Sequence, residues 1–157
     1  MTIRSLRGHL AGALALLAGL TACGGDGSSP MTPVVTQPPA PTTSSIFSRP
    51  YSVGAGLGGG VPNFGFQDVS VPNAGTVQVS FDWTFASSDI DVVVTPASCP
   101  DGVSAYFGSC TVLGEDKGFN KPARAQFNVS ASQSIRVFVY NFASVQESGV
   151  LNVLLTR

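Results

Sequence analysis

From Thr76 to Phe85 the chain alternates apolar and polar side chains without a break, a period of two that no helix accommodates. Val77, Val79, Phe81, Trp83 and Phe85 fall on one side, and Gln78, Ser80, Asp82 and Thr84 on the other. Successive strand side chains point to opposite faces, so the run predicts a half-buried β-strand with its apolar side inward. Pro72-Asn73-Ala74-Gly75 is a turn that joins it to a strand over Phe66–Val71. Asp89–Val94 reads as the next strand, with Ile90, Val92 and Val94 inward and Pro96 ending it. Ala123, Ala125, Phe127 and Val129 alternate with Arg124, Gln126 and Asn128, and Gly149–Thr156 closes the pattern. Ile135–Phe142 is apolar on both faces. Seven or eight short strands in about 110 residues predict an all-β fold, a small antiparallel, jelly-roll-like β-sandwich.

All fourteen aromatic residues lie between Phe47 and Phe142, which places the core, and hence the domain, in residues 46–157. Residues 24–45 hold five prolines, one charge and no aromatic ring. Such a stretch buries too little apolar surface to offset the entropy of ordering, so 23–45 is expected to be a disordered tether. Extended at about 3.1 Å per residue, it spans roughly 70 Å.

Before it, Arg4 and Arg7 precede an eleven-residue apolar run, Leu10–Leu20. That run is shorter than the roughly 20 residues a membrane-spanning helix needs, and fits the core of a signal peptide. Leu20-Thr21-Ala22-Cys23 then resembles a bacterial lipobox. The resemblance implies a signal peptide over 1–22, cleavage after Ala22, and a diacylglycerol on the Cys23 sulfur. Two or three acyl chains give stable membrane anchoring, at about 0.8 kcal/mol per buried CH₂. Gly24, in place of an aspartate retention signal, favours the outer membrane as the location within the cell envelope.

Three cysteines are odd for an exported chain; lipidation uses Cys23 and leaves Cys99 and Cys110 as a pair. An oxidising compartment closes them into a disulfide around a short loop, in which Ala105–Tyr106 reads as a short strand. Two widely spaced cysteines with no histidine to complete a site argue against a structural metal.

The order Val69-Ser70-Val71-Pro72, glycine turn, long alternating strand, Asp89-x-Asp91 strand and Arg136-Val137-Phe138-Val139-Tyr140-Asn141 resembles the bacterial pre-peptidase C-terminal domain over residues 66–156. That family implies a non-catalytic β-sandwich that accompanies secreted enzymes and aids secretion or holds substrate. This chain carries no peptidase, inserts the Cys99–Cys110 loop, and lacks the Gly-x-Tyr lead into the penultimate strand.

Several chemistries are excluded by composition. Removing Arg4 and Arg7 from eight basic residues leaves six against nine acidic ones, a net charge of −3, with no basic stripe for nucleic acid. The only histidine, His9, lies in the signal segment, so no mature triad is available. Gly54-Ala55-Gly56-Leu57-Gly58-Gly59 matches a dinucleotide fingerprint in letters, but Gly60-Val61-Pro62-Asn63 cannot start the helix that chemistry requires. Asp89 and Asp91 share a strand face as a glycosidase pair does, although a sandwich this small offers little wall for a cleft. Asp82, Asp89 and Asp91 are the candidate calcium ligands if their strands are neighbours; otherwise they decorate a solvated face, and no cofactor is needed. Phe138, Tyr140 and Phe142 are the candidate ligand-binding rings, open to a polysaccharide or protein partner. Alternatively they pack under the segment around Ile46–Tyr51, or form the core face themselves. The expectation is a non-catalytic membrane-anchored lipoprotein presenting its sandwich for binding or envelope association; the alternative is a carbohydrate- or protein-binding module serving a separate secreted enzyme.

Overall fold

In the computed structural model the described residues are 37–157. The expected signal peptide, Cys23 and most of the expected tether lie outside them. Eight strands form: β1 (Thr43–Val53), β2 (Asn63–Val71), β3 (Gly75–Trp83), β4 (Ile90–Pro96), β5 (Gly114–Asp116), β6 (Ala123–Val129), β7 (Gln133–Asn141) and β8 (Glu147–Thr156). One five-residue helix, α1 (Gly102–Tyr106), lies between β4 and β5. The strands build two four-stranded antiparallel sheets, β1-β8-β3-β6 and β2-β7-β4-β5. Apart from β4, which β5 follows in the same sheet, every strand is followed by one in the opposite sheet, which is the arrangement of a double-sheet jelly roll. The 72–75 turn therefore carries the chain across the sandwich rather than around a hairpin.

The alternating runs supply the space between the sheets. Val77, Val79, Phe81 and Trp83 of β3 face Ile90, Val92 and Val94 of β4, joined by Ala123, Ala125, Phe127 and Val129 of β6. Ile135, Val137 and Val139 of β7 and Leu151, Val153 and Leu155 of β8 complete this cluster. Each such fully buried valine, leucine or phenylalanine contributes about 1.5–3 kcal/mol relative to exposure. Residues Pro38–Arg157 form one compact unit with the whole of this core inside it, so the stretch carries what the sandwich needs to fold.

Three sequence expectations change. Strand β1 begins at Thr43, so residues 43–45 belong to a sheet and not to the tether. Its Pro50 lies on an edge strand, the part of a sheet where proline is accommodated. Ala105–Tyr106 is helical rather than extended: Asp101 caps the turn, its Oδ1 accepting from the Ser104 N–H at 2.8 Å. Phe85 does not join the inward set, because β3 ends at Trp83 and Phe85 is exposed.

Candidate binding cleft

β7 carries two inventories, one per face. Ile135, Val137 and Val139 enter the core between the sheets, while Phe138 and Tyr140 point to the outer side of the second sheet. Phe64 and Phe66 of the edge strand β2 flank them there, with Phe64 5.6 Å from Tyr140 and Phe66 5.8 Å from Phe138 between ring centroids. Four adjacent rings on one sheet face need a cover, and the segment 97–112 provides it.

That segment is closed by the Cys99–Cys110 disulfide, whose Cα atoms lie 5.8 Å apart. It is pinned to the sheet by polar contacts at both ends of α1. The Tyr140 hydroxyl donates to the Gly102 carbonyl at 2.7 Å, and the Tyr106 hydroxyl donates to Asp91 Oδ2 at 2.6 Å. Lys117 Nζ donates to the Tyr106 carbonyl at 3.1 Å and stands 4.5 Å from the centre of its ring. Arg136 Nη1 donates to the Cys99 carbonyl at 2.7 Å, while its Nε and Nη2 grip Asp68 at 2.7 and 2.8 Å. These guanidinium bonds hold the Asp68 carboxyl below its ordinary range. Gly102 is required where it stands, because a Cβ there would run into the Phe64 ring.

The predicted open aromatic face is consequently closed. Phe138 is 0% and Tyr140 1% exposed, and Phe142 is half-buried, with its ring 5.8 Å from that of Tyr106. Their cover is the disulfide segment and not Ile46–Tyr51, which forms part of β1 in the other sheet. The calcium trio does not assemble either. Asp82 sits on β3 in the first sheet, beside Lys121 at 3.3 Å, whereas Asp89 and Asp91 lie at or just before β4 in the second. Among the described residues no group of three potential metal-binding side chains comes together.

Asp91 is buried beneath Tyr106, and burial pushes its carboxyl up to about 6, against the hydrogen bond from Tyr106 and with the help of nearby Asp89. An unfolded aspartate ionises near pH 3.9, so the folded chain holds this proton more tightly. Stability from the protonated form is fully present below about pH 4 and is lost as the pH rises through about 6. Asp91→Asn keeps an acceptor for Tyr106 and removes the titration. The variant is expected to gain about 1–2 kcal/mol over wild type between pH 4 and pH 7, after allowance for solvent screening. Urea unfolding of both proteins across that range checks it; parallel profiles would count against the assignment.

Beside α1 the glycine-rich stretch 54–62 folds over the end of β2. Asn141 fixes it, Nδ2 donating to the Gly54 carbonyl at 2.9 Å and the Val145 carbonyl at 2.7 Å. Gly56 passes so close that a Cβ would lie 2.9 Å from the Asn141 carbonyl oxygen. Gly58, Gly59 and Gly60 all have positive φ, which turns the loop without strain. The stretch is thus a fixed turn, and β2 rather than a helix follows it.

Between this loop and α1 lies a cleft of about 270 Å³. Phe64, Tyr106 and Tyr140 form its aromatic wall, and Leu57, Val61, Pro62, Val103 and Phe107 its aliphatic and outer sides. No charged side chain lines it. Leu57 and Phe107 are 74% and 77% exposed, and Val61 and Val103 are also in solvent, so the rim is an apolar patch shared by the glycine loop and the α1 segment. Tyr140 is the one sequence-predicted site residue that reaches this cleft. The rim residues escaped the sequence reading; the apolar Leu57 and Val61 standing alone among glycines were the available signal. No protein-family model matches the chain, and no curated protein matches it.

Proposed function

We propose that the chain is a non-catalytic, lipid-anchored envelope protein whose sandwich presents the α1–glycine-loop cleft to an apolar partner. The observation that carries the reading is the cleft itself, an uncharged concavity with four exposed aliphatic or aromatic residues at its rim. Water-exposed apolar patches around a preformed concavity are characteristic of binding surfaces. The lipobox supports anchoring at Cys23, and the disulfide fits an oxidising compartment. The strand register adds a geometric point. Thr43, where the chain enters the sandwich, pairs with Thr156 at one pole, whereas Val53, which leads into the glycine loop, pairs with Glu147 at the other. The glycine loop of the cleft thus leaves β1 at the pole opposite to the one where β1 begins.

The alternative, an accessory module that holds a carbohydrate or protein for a separate enzyme, follows from the resemblance to pre-peptidase C-terminal domains. For a sugar the cleft is poorly equipped, because both tyrosine hydroxyls already donate their protons, to Gly102 and Asp91, and no charged side chain lines it.

Anchoring is tested in cells fed labelled palmitate. Wild type is expected to take up label and sediment with membranes, and Cys23→Ala to remain unlabelled with its leader attached. Equal labelling of the two would refute the anchor.

A further inference from the structure

We infer that the cleft takes the end of one uncharged hydrocarbon chain, such as that of a fatty alcohol or a monoacylglycerol, and rejects the fatty-acid anion. The inference rests on reading the cleft as a binding surface. Size sets the first limit: apolar cavities of about 150 Å³ already hold a benzene ring, and drug-sized ligands need about 300–1,000 Å³. At about 270 Å³ the cleft suits one chain or ring.

Polarity sets the second limit. The Tyr106 and Tyr140 hydroxyls are committed to Asp91 and to the Gly102 carbonyl. At the two apolar rim positions of the loop the backbone N–H groups are also used, Leu57 donating to the Val61 carbonyl at 2.9 Å and Val61 to the Gly58 carbonyl at 3.1 Å. Pro62 has no N–H to offer. A ligand with polar groups inside the cleft would leave them unpaired, at a cost of about 1–3 kcal/mol each.

Charge sets the third. Behind Tyr106 stand the carboxylates of Asp91, Asp89 and Glu115, with Asp116 close to Asp91. The single amine among them, Lys117, is paired with Glu115 at 2.9 Å. Even with the Lys117 ammonium 4.5 Å from the Tyr106 ring, the groups around that ring carry a net negative charge, which disfavours an anionic headgroup relative to a neutral one.

The test titrates the isotope-labelled 38–157 fragment with 1-decanol, monodecanoylglycerol, decanoate, the tripeptide acetyl-Leu-Phe-Leu-amide and maltotriose at neutral pH. Amide shifts at Leu57, Val61, Val103 and Phe107 report occupancy. The two neutral chains are expected to give saturable shifts there, with decanoate weaker by about tenfold or more. Val103→Glu alters an exposed helix position and is expected to weaken decanol by a similar factor with the rest of the spectrum intact. Equal binding of decanoate, or decanol binding untouched by Val103→Glu, would overturn the inference. Cleft shifts with the tripeptide or maltotriose alone would also overturn it while leaving the binding-surface reading standing. Silence with every probe would remove both.

Discussion

Glu147→Ala is expected to lower the unfolding free energy by about 2–4 kcal/mol, against the 5–15 kcal/mol available to an ordinary domain. Glu147 is completely buried at the start of β8, where an unpaired acid would be untenable. Its carboxylate is fully used. Oε2 accepts from the Thr84 N–H at 3.1 Å and the Phe85 N–H at 3.3 Å, and Oε1 accepts from the Ser88 hydroxyl. These donors belong to the turn that carries the chain from β3 to β4, and hence from one sheet to the other. The turn has few other supports, chiefly Trp83 Nε1 and the Ser88 N–H, both donating to the Phe85 carbonyl. Truncation to alanine leaves two part-buried backbone donors and a buried hydroxyl without their acceptor. Hydrogen bonds to a charged group are worth about 1.5–3 kcal/mol each, and three on one carboxylate are not additive. Glu147→Gln retains one acceptor oxygen and turns an N–H₂ toward a donor, so it is expected to cost about half as much. Urea denaturation measures both; a loss below about 1 kcal/mol for the alanine variant would show the turn to be self-sufficient.

The same turn shows what the sequence revealed and what it hid. The alternation of Thr76–Phe85 located β3 because strand pleating converts burial directly into a period of two. It overran by two residues, because Thr84 and Phe85 keep the alternating letters while their N–H groups leave the ladder for Glu147. A lone glutamate between Gln146 and Ser148 gives no local hint of that role, which exists only after β8 has closed against β3. Sheet membership was similarly hidden. The calcium reading of Asp82, Asp89 and Asp91 required neighbouring strands, but the connection between β3 and β4 crosses the sandwich. β1 was obscured by its Ser, Thr and Pro content, which resembles the tether before it, and β5 by having only three residues. The double-sided apolar character of Ile135–Phe142 was legible, and it demanded a second cover. The identity of that cover was not, since a five-residue helix has too little length to show a period, although Asp101-Gly102-Val103-Ser104 carries a helix-capping pattern.

Replacing both Cys99 and Cys110 by Ser is expected to remove about 3 kcal/mol of stability and to open the cleft. The bridge joins residues 11 apart, and the loop-closure entropy it withholds from the unfolded chain corresponds to that figure. Its local consequence is larger than its loop, because α1 is too short to persist without tertiary support. Without the bridge the segment 97–112 depends on the Arg136–Cys99 carbonyl bond, the two tyrosine hydroxyls, Lys117 and the packing of Ala105 over Phe138 and Tyr140. Local opening then exposes Phe138 and Tyr140, now fully buried, and removes the Val103 and Phe107 wall of the cleft. Hydrogen exchange separates the two effects. Amides of 99–112 and the Tyr140 side of β7 are expected to lose protection beyond the global change, whereas β3 and β8, in the other sheet, follow it. Reductant should shift the wild-type urea midpoint to that of the double variant and leave the variant unmoved. A double variant as stable as wild type, or one whose 99–112 amides remain protected, would mean that the hydroxyl and guanidinium contacts alone hold the cover on its aromatic face.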